Sequence, residues 1–375
     1  MKTTLTTLTL AMLGISGIAH AQNTVTLYGI IDTGLTYVSN QGGGRFVGMT
    51  SGNESGSRWG LKGSEDLGGG LKAVFQLENG FNSTNGKLGQ GSREFGRQAF
   101  VGLSSDKWGT LTAGRQYDPL VDLIQPFQGD GFLGGIFISP GDIDNSDNSA
   151  RVNNSLKYAS PSLYGFQFEL MYSLGGVAGS TGSGQSYAAA AAYTSGPVNV
   201  AAGYFHISNG SGANRGTTTW DSLFNTSVNG AYSTAASIND ARIAGNYIFG
   251  SVTLGGYYSY AEYTRDANST FTRAEKYNTA SVYAVWQATP ALQTQVGYVY
   301  LKSSGSSSAK YNQFAVAADY SLSKRTDLYA WVAYTAASGK QDPAGTPAVA
   351  VIGSATGDSS SNRQATATVG IRHRF

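Results

Sequence analysis

The chain has 375 residues and no cysteine, and only 13% of its residues are charged, against about 25% in an ordinary soluble protein. Glycine accounts for 51 residues and tyrosine for 23, with only 8 prolines, a composition that argues against a disordered chain. The lack of cysteine excludes a disulfide scaffold, a thiol nucleophile and thiolate metal sites, and a net charge of +2 leaves no basic footprint for nucleic acid.

Residues 1–21 read as a secretory signal peptide. Lys2 is a positive n-region, Leu8 to Ile18 is a short apolar stretch, and Ala19-His20-Ala21 is a small-x-small cleavage site before Gln22. The expectation is that 1–21 is removed and that 22–375 forms one folded unit. Export without cysteine suits passage through an oxidising periplasm. Downstream there is no run of about 18 apolar residues, so helical membrane spans are excluded.

The rest of the chain reads with a period of two, which sends successive side chains to opposite faces of a sheet. Val25, Leu27, Ile31, Leu35 and Tyr37 share one face, with Thr26, Tyr28, Asp32 and Thr36 on the other. Leu71, Ala73, Phe75 and Leu77 alternate with Lys72, Val74, Gln76 and Glu78. Leu292 to Tyr300 and Gln313 to Tyr320 repeat the pattern. Sixteen candidate strands lie near 25–38, 55–65, 70–80, 93–104, 108–116, 151–159, 165–174, 185–194, 197–207, 239–249, 251–263, 275–287, 291–301, 310–320, 326–335 and 362–375. Such strands, near 10 residues or a little longer, can cross a bilayer at a tilt of about 45°.

The connections alternate in length. Asp66–Gly69, Ser195–Gly196, Ala288–Pro290 and Ser321–Arg325 are short. Gln41–Gly52, Tyr117–Ala150, Ser208–Ile238 and Ala336–Ser361 are long and rich in Gly, Ser, Asn and Asp. Short turns at one end and long loops at the other describe an outer-membrane barrel. Hydrocarbon cannot satisfy an open sheet edge, so every strand needs two neighbours. The fold class is therefore all-β: a 16-stranded antiparallel transmembrane β-barrel. Trp286, Trp331, Tyr298, Tyr300 and Tyr334 are candidates for the interfacial aromatic girdles. A soluble sandwich or β-helix would need regular repeats, and no fixed repeat is visible.

The chain resembles the general-diffusion porins of Gram-negative outer membranes, most closely the β-proteobacterial, neisserial and Burkholderia-like type. The resemblance spans the whole chain. It is carried by Val25-Thr-Leu-Tyr-Gly29, by Ser57-Arg-Trp-Gly-Leu-Lys-Gly-Ser-Glu-Asp-Leu-Gly-Gly-Gly-Leu-Lys-Ala73 and by Phe75-Gln-Leu-Glu78. It continues in Gly96-Arg-Gln-Ala-Phe-Val-Gly-Leu103, Gly114-Arg-Gln-Tyr117, Arg151-Val-Asn-Asn-Ser-Leu-Lys-Tyr158, Ser160-Pro161 and Val369-Gly-Ile-Arg-His-Arg-Phe375. It implies a multi-pass outer-membrane channel for passive passage of ions and small hydrophilic solutes. It also implies a homotrimer set in outer-membrane lipid. Phe375, on an alternating strand, is similar to the signal by which the assembly machinery recognises this family.

The segment 117–150, about 34 residues long, exceeds ordinary loop lengths. It holds Asp118, Asp122, Asp130, Asp142, Asp144 and Asp147 and no Lys or Arg, with apolar pieces at Leu120 to Ile124 and Phe132 to Ile138. A loop of that composition can pack inside something. The resemblance implies that it folds into the lumen as a constriction, its acidic side towards a basic wall. Strand parity offers Arg58, Lys62, Lys72, Arg151 and Lys157 as wall residues. Arg97 shares the parity of Ala99, Val101 and Leu103, so alternation leaves it unassigned, and the family motif places it in the wall. Asp122 and Asp130 are the acidic candidates. The Pro-Glu-Phe-Gly piece of enterobacterial relatives is missing. A basic wall facing an acidic loop sets up a transverse field that ranks solutes by charge, and several wall cations predict a weak anion preference.

Other classes fare less well. Beyond residue 21 the histidines are His206 and His373, neither in a nucleophile motif, so no enzyme is expected. No cofactor and no metal site is expected, because ligand spacing is lacking. Gly42-Gly-Gly44 and Gly68-Gly-Gly70 lack the Lys-Ser/Thr of a phosphate loop. The alternatives are a plugged or substrate-specific channel, or a barrel-based adhesin. A plug would need a globular segment before the first strand, which the reading places within a few residues of Gln22.

Overall fold

The computed structural model describes residues 24–210, 215, 221 and 223–375. The expected signal peptide at 1–21 lies outside the described residues. Seventeen antiparallel strand segments run in chain order. The first eight are β1 (Thr24–Gln41), β2 (Gly44–Ser51), β3 (Arg58–Gly68), β4 (Leu71–Gly80), β5 (Gln98–Ser105), β6 (Gly109–Gln116), β7 (Val152–Ala159) and β8 (Phe166–Ser173). The others are β9 (Ser186–Ser195), β10 (Val198–Ser208), β11 (Ser237–Phe249), β12 (Val252–Thr264), β13 (Glu275–Gln287), β14 (Leu292–Ser304), β15 (Lys310–Ser321), β16 (Thr326–Ser338) and β17 (Arg363–Arg374).

The segments form sixteen lanes of a closed barrel. β1 pairs with β17 from Ile30 opposite Arg374 to Val38 opposite Thr366. On its other side β1 pairs with β3 through Thr24 to Ile30 and with β2 through Thr33 to Gln41. β2 and β3 are thus one lane, broken at residues 52–57. This corrects the reading of Gln41–Gly52 as a long loop. Gly44–Ser51 alternates polar and apolar residues weakly, and its glycines concealed a strand. Closure leaves no edge for lipid to meet.

The alternation reports the two faces correctly. Val25, Leu27, Ile31 and Leu35 are exposed on the outer face, and Asp32 and Thr36 are buried within. Phe314, Val316 and Tyr320 face outwards, while Gln313 and Asp319 face inwards. Trp286 and Tyr334 are exposed on the outer wall, but Trp331 is 3% exposed and faces inwards. Its assignment to a girdle is corrected: it packs with Leu133, Ile136 and Phe137 of the segment 117–150.

That segment lies inside the barrel, against the inner face of β8 to β16. Its helices α1 (Pro119–Leu123) and α2 (Asp130–Leu133) bury their apolar residues there. Leu120, Ile124, Leu133, Ile136, Phe137, Ile138 and Ile143 are essentially inaccessible, each worth about 1.5–3 kcal/mol of burial. The facing strands make room with small inward residues, Ala188, Ala190, Ala201, Ala244, Ala315 and Ala317. At Gly203 a Cβ would stand 2.9 Å from Leu120 Cγ, and at Gly297 one would stand 2.6 Å from Phe137 Cδ1. The backbone is held as well. Gln295 Nε2 donates to the Gly129 carbonyl at 2.8 Å, Tyr283 to that of Phe127 at 2.8 Å and Tyr263 to that of Ile143 at 2.6 Å. Gln313 Nε2 donates to the carbonyls of Ile136 and Ile138 at 2.8 and 3.1 Å.

Candidate pore constriction

The loop-side ends of β3 to β7 bring together arginines that are far apart in sequence. Arg58 opens β3, Arg97 precedes β5, Arg115 is the last residue but one of β6 and Arg151 precedes β7. The position of Arg97 explains why alternation could not assign it. β5 begins at Gln98, one residue later, so the strand's parity does not apply to Arg97.

Arg97 is tightly held. Its Nε donates to Glu78 Oε1 at 2.7 Å and its Nη2 to the Tyr117 hydroxyl at 2.6 Å. That hydroxyl donates in turn to Glu78 Oε1 at 2.6 Å. The guanidinium carbons of Arg97 and Arg151 each lie 5.6 Å from the Tyr117 ring centroid. Arg151 donates from Nη1 to the Ser149 carbonyl at 3.1 Å. Its burial and the nearby Arg97 lower its pKa to about 10, so it stays charged at neutral pH. Arg58 is coupled electrostatically to Arg97 and Glu78, yet its side chain makes no hydrogen bond or ion pair among the described residues.

Arg115 belongs to the same wall, and the sequence reading missed it. Its Nη1 donates to Asn153 at 2.6 Å and its Nε to the Gly96 carbonyl at 2.8 Å. Its Nη2 pairs with Asp221, which also meets Arg93 at 3.0 Å and accepts from the Arg151 amide at 3.2 Å. The Gly114-Arg-Gln-Tyr117 motif carried the signal, but the partner lies about a hundred residues on.

The remaining predicted residues scatter. Lys157 ion-pairs with Asp122 and donates to the Tyr117 carbonyl at 3.2 Å, so it ties the loop to the wall. Lys62 is exposed, its Nζ 5.4 Å from the Tyr28 ring centroid. Lys72 lies near the opposite, short-turn end of β4. Asp130 is buried and accepts from Gln125 at 2.8 Å; burial and the neighbouring Asp147 push its pKa well up.

Most loop acids serve the loop itself. Asp118 caps α1, accepting from the Leu120 and Val121 amides at 2.9 and 3.2 Å and from Asn145 at 2.9 Å. Asp142 accepts from the amides of Asp147 and Ser149 at 2.9 and 3.2 Å. Asp144 accepts from Ser139 at 2.7 Å and from Ser259, beside the buried Arg242–Asp240 pair of β11. Asp147 faces the lumen. It lines cavities of about 320 and 640 Å³, the latter shared with Arg93 and Arg151. Burial and Asp142 raise its pKa to about 7, against the pull of Arg151 and Arg97.

A second charged cluster lies between β1 and β15 to β17. Glu54, Asp319 and Asp327 bring carboxylate oxygens within 4.8 Å of one another, and Arg372 bridges all three at 3.0 Å. His206 and His373 sit on the outer face, bonded to Asn239 at 2.8 Å and Thr326 at 2.9 Å. Phe375 exchanges both backbone hydrogen bonds with Gly29, at 3.1 and 3.0 Å, and its ring covers that glycine.

A closed barrel with a folded-in loop, an apolar outer belt and a polar, arginine-lined passage is a transmembrane diffusion channel. A Gram-negative porin family model matches residues 6–340, and the chain belongs to that family of outer-membrane porins. It is 46% identical over 190 residues to an outer membrane porin protein of Bordetella pertussis, covering 46% of this chain and 48% of that one. It is 29% identical over 378 residues to outer membrane porin protein 32 of Delftia acidovorans, covering 98% of each. Its fold is similar to that of an anion-selective porin from Comamonas acidovorans, with a TM-score of 0.74 and 24% identity over 94% of this chain and 100% of that chain. It is also similar to the trimer form of OmpT from Vibrio cholerae, with a TM-score of 0.68 and 16% identity over 94% of this chain and 99% of that chain.

Proposed function

We propose that this porin passes inorganic ions and small hydrophilic solutes with a weak preference for anions, and that residues 22–375 act as a homotrimer without catalysing a reaction. The observation that carries the preference is Arg58, a lumen-facing guanidinium without an acid partner among the described residues. Beside it stand Arg93, Arg97, Arg115 and Arg151, against the carboxylates Glu78, Asp221 and Asp147. Arginine stays charged even among other cations, so the wall keeps its field, and like charges around a narrow passage favour the opposite ion. The loop answers weakly, because Asp122 is spent on Lys157 and Asp130 is buried. The Comamonas neighbour is described as anion-selective and the Vibrio neighbour as a trimer, which supports both parts of the reading.

The open cavities beside the arginine cluster favour an open channel over a plugged one. The exposed apolar belt suits outer-membrane lipid, and Phe375 at the end of β17 serves as the mark read by the assembly machinery. Replacing Arg58 and Arg97 together (R58A/R97A) should move the zero-current potential in a KCl gradient towards the cation side. An unchanged potential in correctly folded double variant would overturn the wall assignment.

A further inference from the structure

Below the arginines, on the short-turn side, the lumen holds a feature that ion passage does not need. The inward row that crosses β1, β3, β4, β5 and β6 reads Thr26, Lys62, Gln76, Phe100 and Gly114, each residue directly opposite the next. Phe100 shares the inward parity of Gln98 and Ser104 and lines a cavity of about 480 Å³ with Lys62, Lys157 and Thr112. Val74, inward on β4, is its diagonal neighbour across the register and lines the same cavity. Diagonal pairs of this kind lie within reach of an aromatic ring. Gly114, opposite Phe100, offers no side chain, while Thr112 and Gln116 on either side of it line the same cavity.

An aromatic ring facing a water-filled lumen is unusual, because barrel interiors of this type are polar. Here it stands two lanes, about 10 Å, from Lys62. Lys62 has no acid partner among the described residues, and Arg58 precedes it by two inward positions on the same strand. Gly60 between them carries no side chain.

We propose that this wall is a solute track for small organic monocarboxylates with an apolar body. The carboxylate passes from Arg58 to Lys62 while the apolar body slides over Phe100 and Val74. The inference rests on the anion preference proposed above and adds a solute class to it. A fully hydrated anion gains only from the two cations, whereas an aromatic or branched carboxylate also sheds apolar surface against the ring.

The test uses the full-length channel in planar bilayers, with bi-ionic reversal potentials for benzoate and for gluconate against chloride, each normalised to the chloride current of the same channel. Wild type should pass benzoate better than gluconate beyond their difference in size. F100S should lower the benzoate-to-gluconate ratio by about threefold, and F100Y, which keeps the ring, should hold it. If F100S does not fold, F100L, which removes the aromatic face but keeps the volume apolar, is read the same way. An unchanged ratio in the folded variant, with chloride still preferred over potassium, would overturn the track and leave the anion reading standing. A preference for potassium in wild type would overturn both.

Discussion

At the scale of single residues, a charge matters by what it is already paired with. Lys157 and Asp122 cancel one another, Arg97 is paired directly with Glu78, and Arg58 feels that same Glu78 only at a distance, with no ion pair of its own among the described residues. This is why a count of acids in the loop misleads. Asp118, Asp142 and Asp144 spend their oxygens on backbone amides and hydroxyls. Among the loop acids, Asp147 accepts from the Ser354 hydroxyl yet keeps a lumen position, with a pKa near neutrality, raised by burial and by Asp142 to about 7. The sign follows: below pH 7 it is neutral, and above it a negative charge appears opposite Arg151. Anion preference should therefore weaken as pH rises from about 6 to 8, by roughly twofold in the permeability ratio, and D147N should flatten that profile. Reversal potentials across this range check it, and a slope that survives in D147N would assign the titration elsewhere.

At the scale of elements, alternation made the strands legible and the loop's destination partly so. Period two in Val25–Tyr37 or Gln313–Tyr320 is imposed by lipid on one side and water on the other. Where another element replaces water, the rule bends. Trp331 reads like a girdle residue, yet it faces inwards because the loop brings apolar side chains into the lumen. The run Ala188–Ala192 and the single Gly203 and Gly297 are the imprint of that loop, but no residue in them names it. Likewise Arg115 meets Asp221 only through the fold. β17 is the element that closes the barrel, and its end is pinned by Phe375 on Gly29. Deleting Phe375 removes two backbone hydrogen bonds and the ring over Gly29. Fewer heat-resistant trimers should form on semi-native gels, with the dissociation temperature lowered by several degrees. Wild-type yield and stability in the deletion would remove that role.

At the scale of the whole molecule, the barrel has two unlike walls. β5 to β8 have 8 residues each, while β11 to β17 have 12 or 13. The loop lies against β8 to β16, including most of the long-stranded wall, and is sealed there by alanines, glutamines and tyrosine hydroxyls. Water is left on the other side, along the arginines. The passage is thus displaced to one wall, and the proposed anion preference rests on that wall's charge. A net charge of +2 over 375 residues says little about this, because the excess is local. The most direct test is the zero-current potential of the purified wild-type channel in a planar bilayer under a KCl gradient at neutral pH. The arrangement of Arg58 and its neighbours predicts stepwise conductance with a potential of anion sign. A potential of cation sign would contradict it and give control of the pore to Asp147 and the other carboxylates.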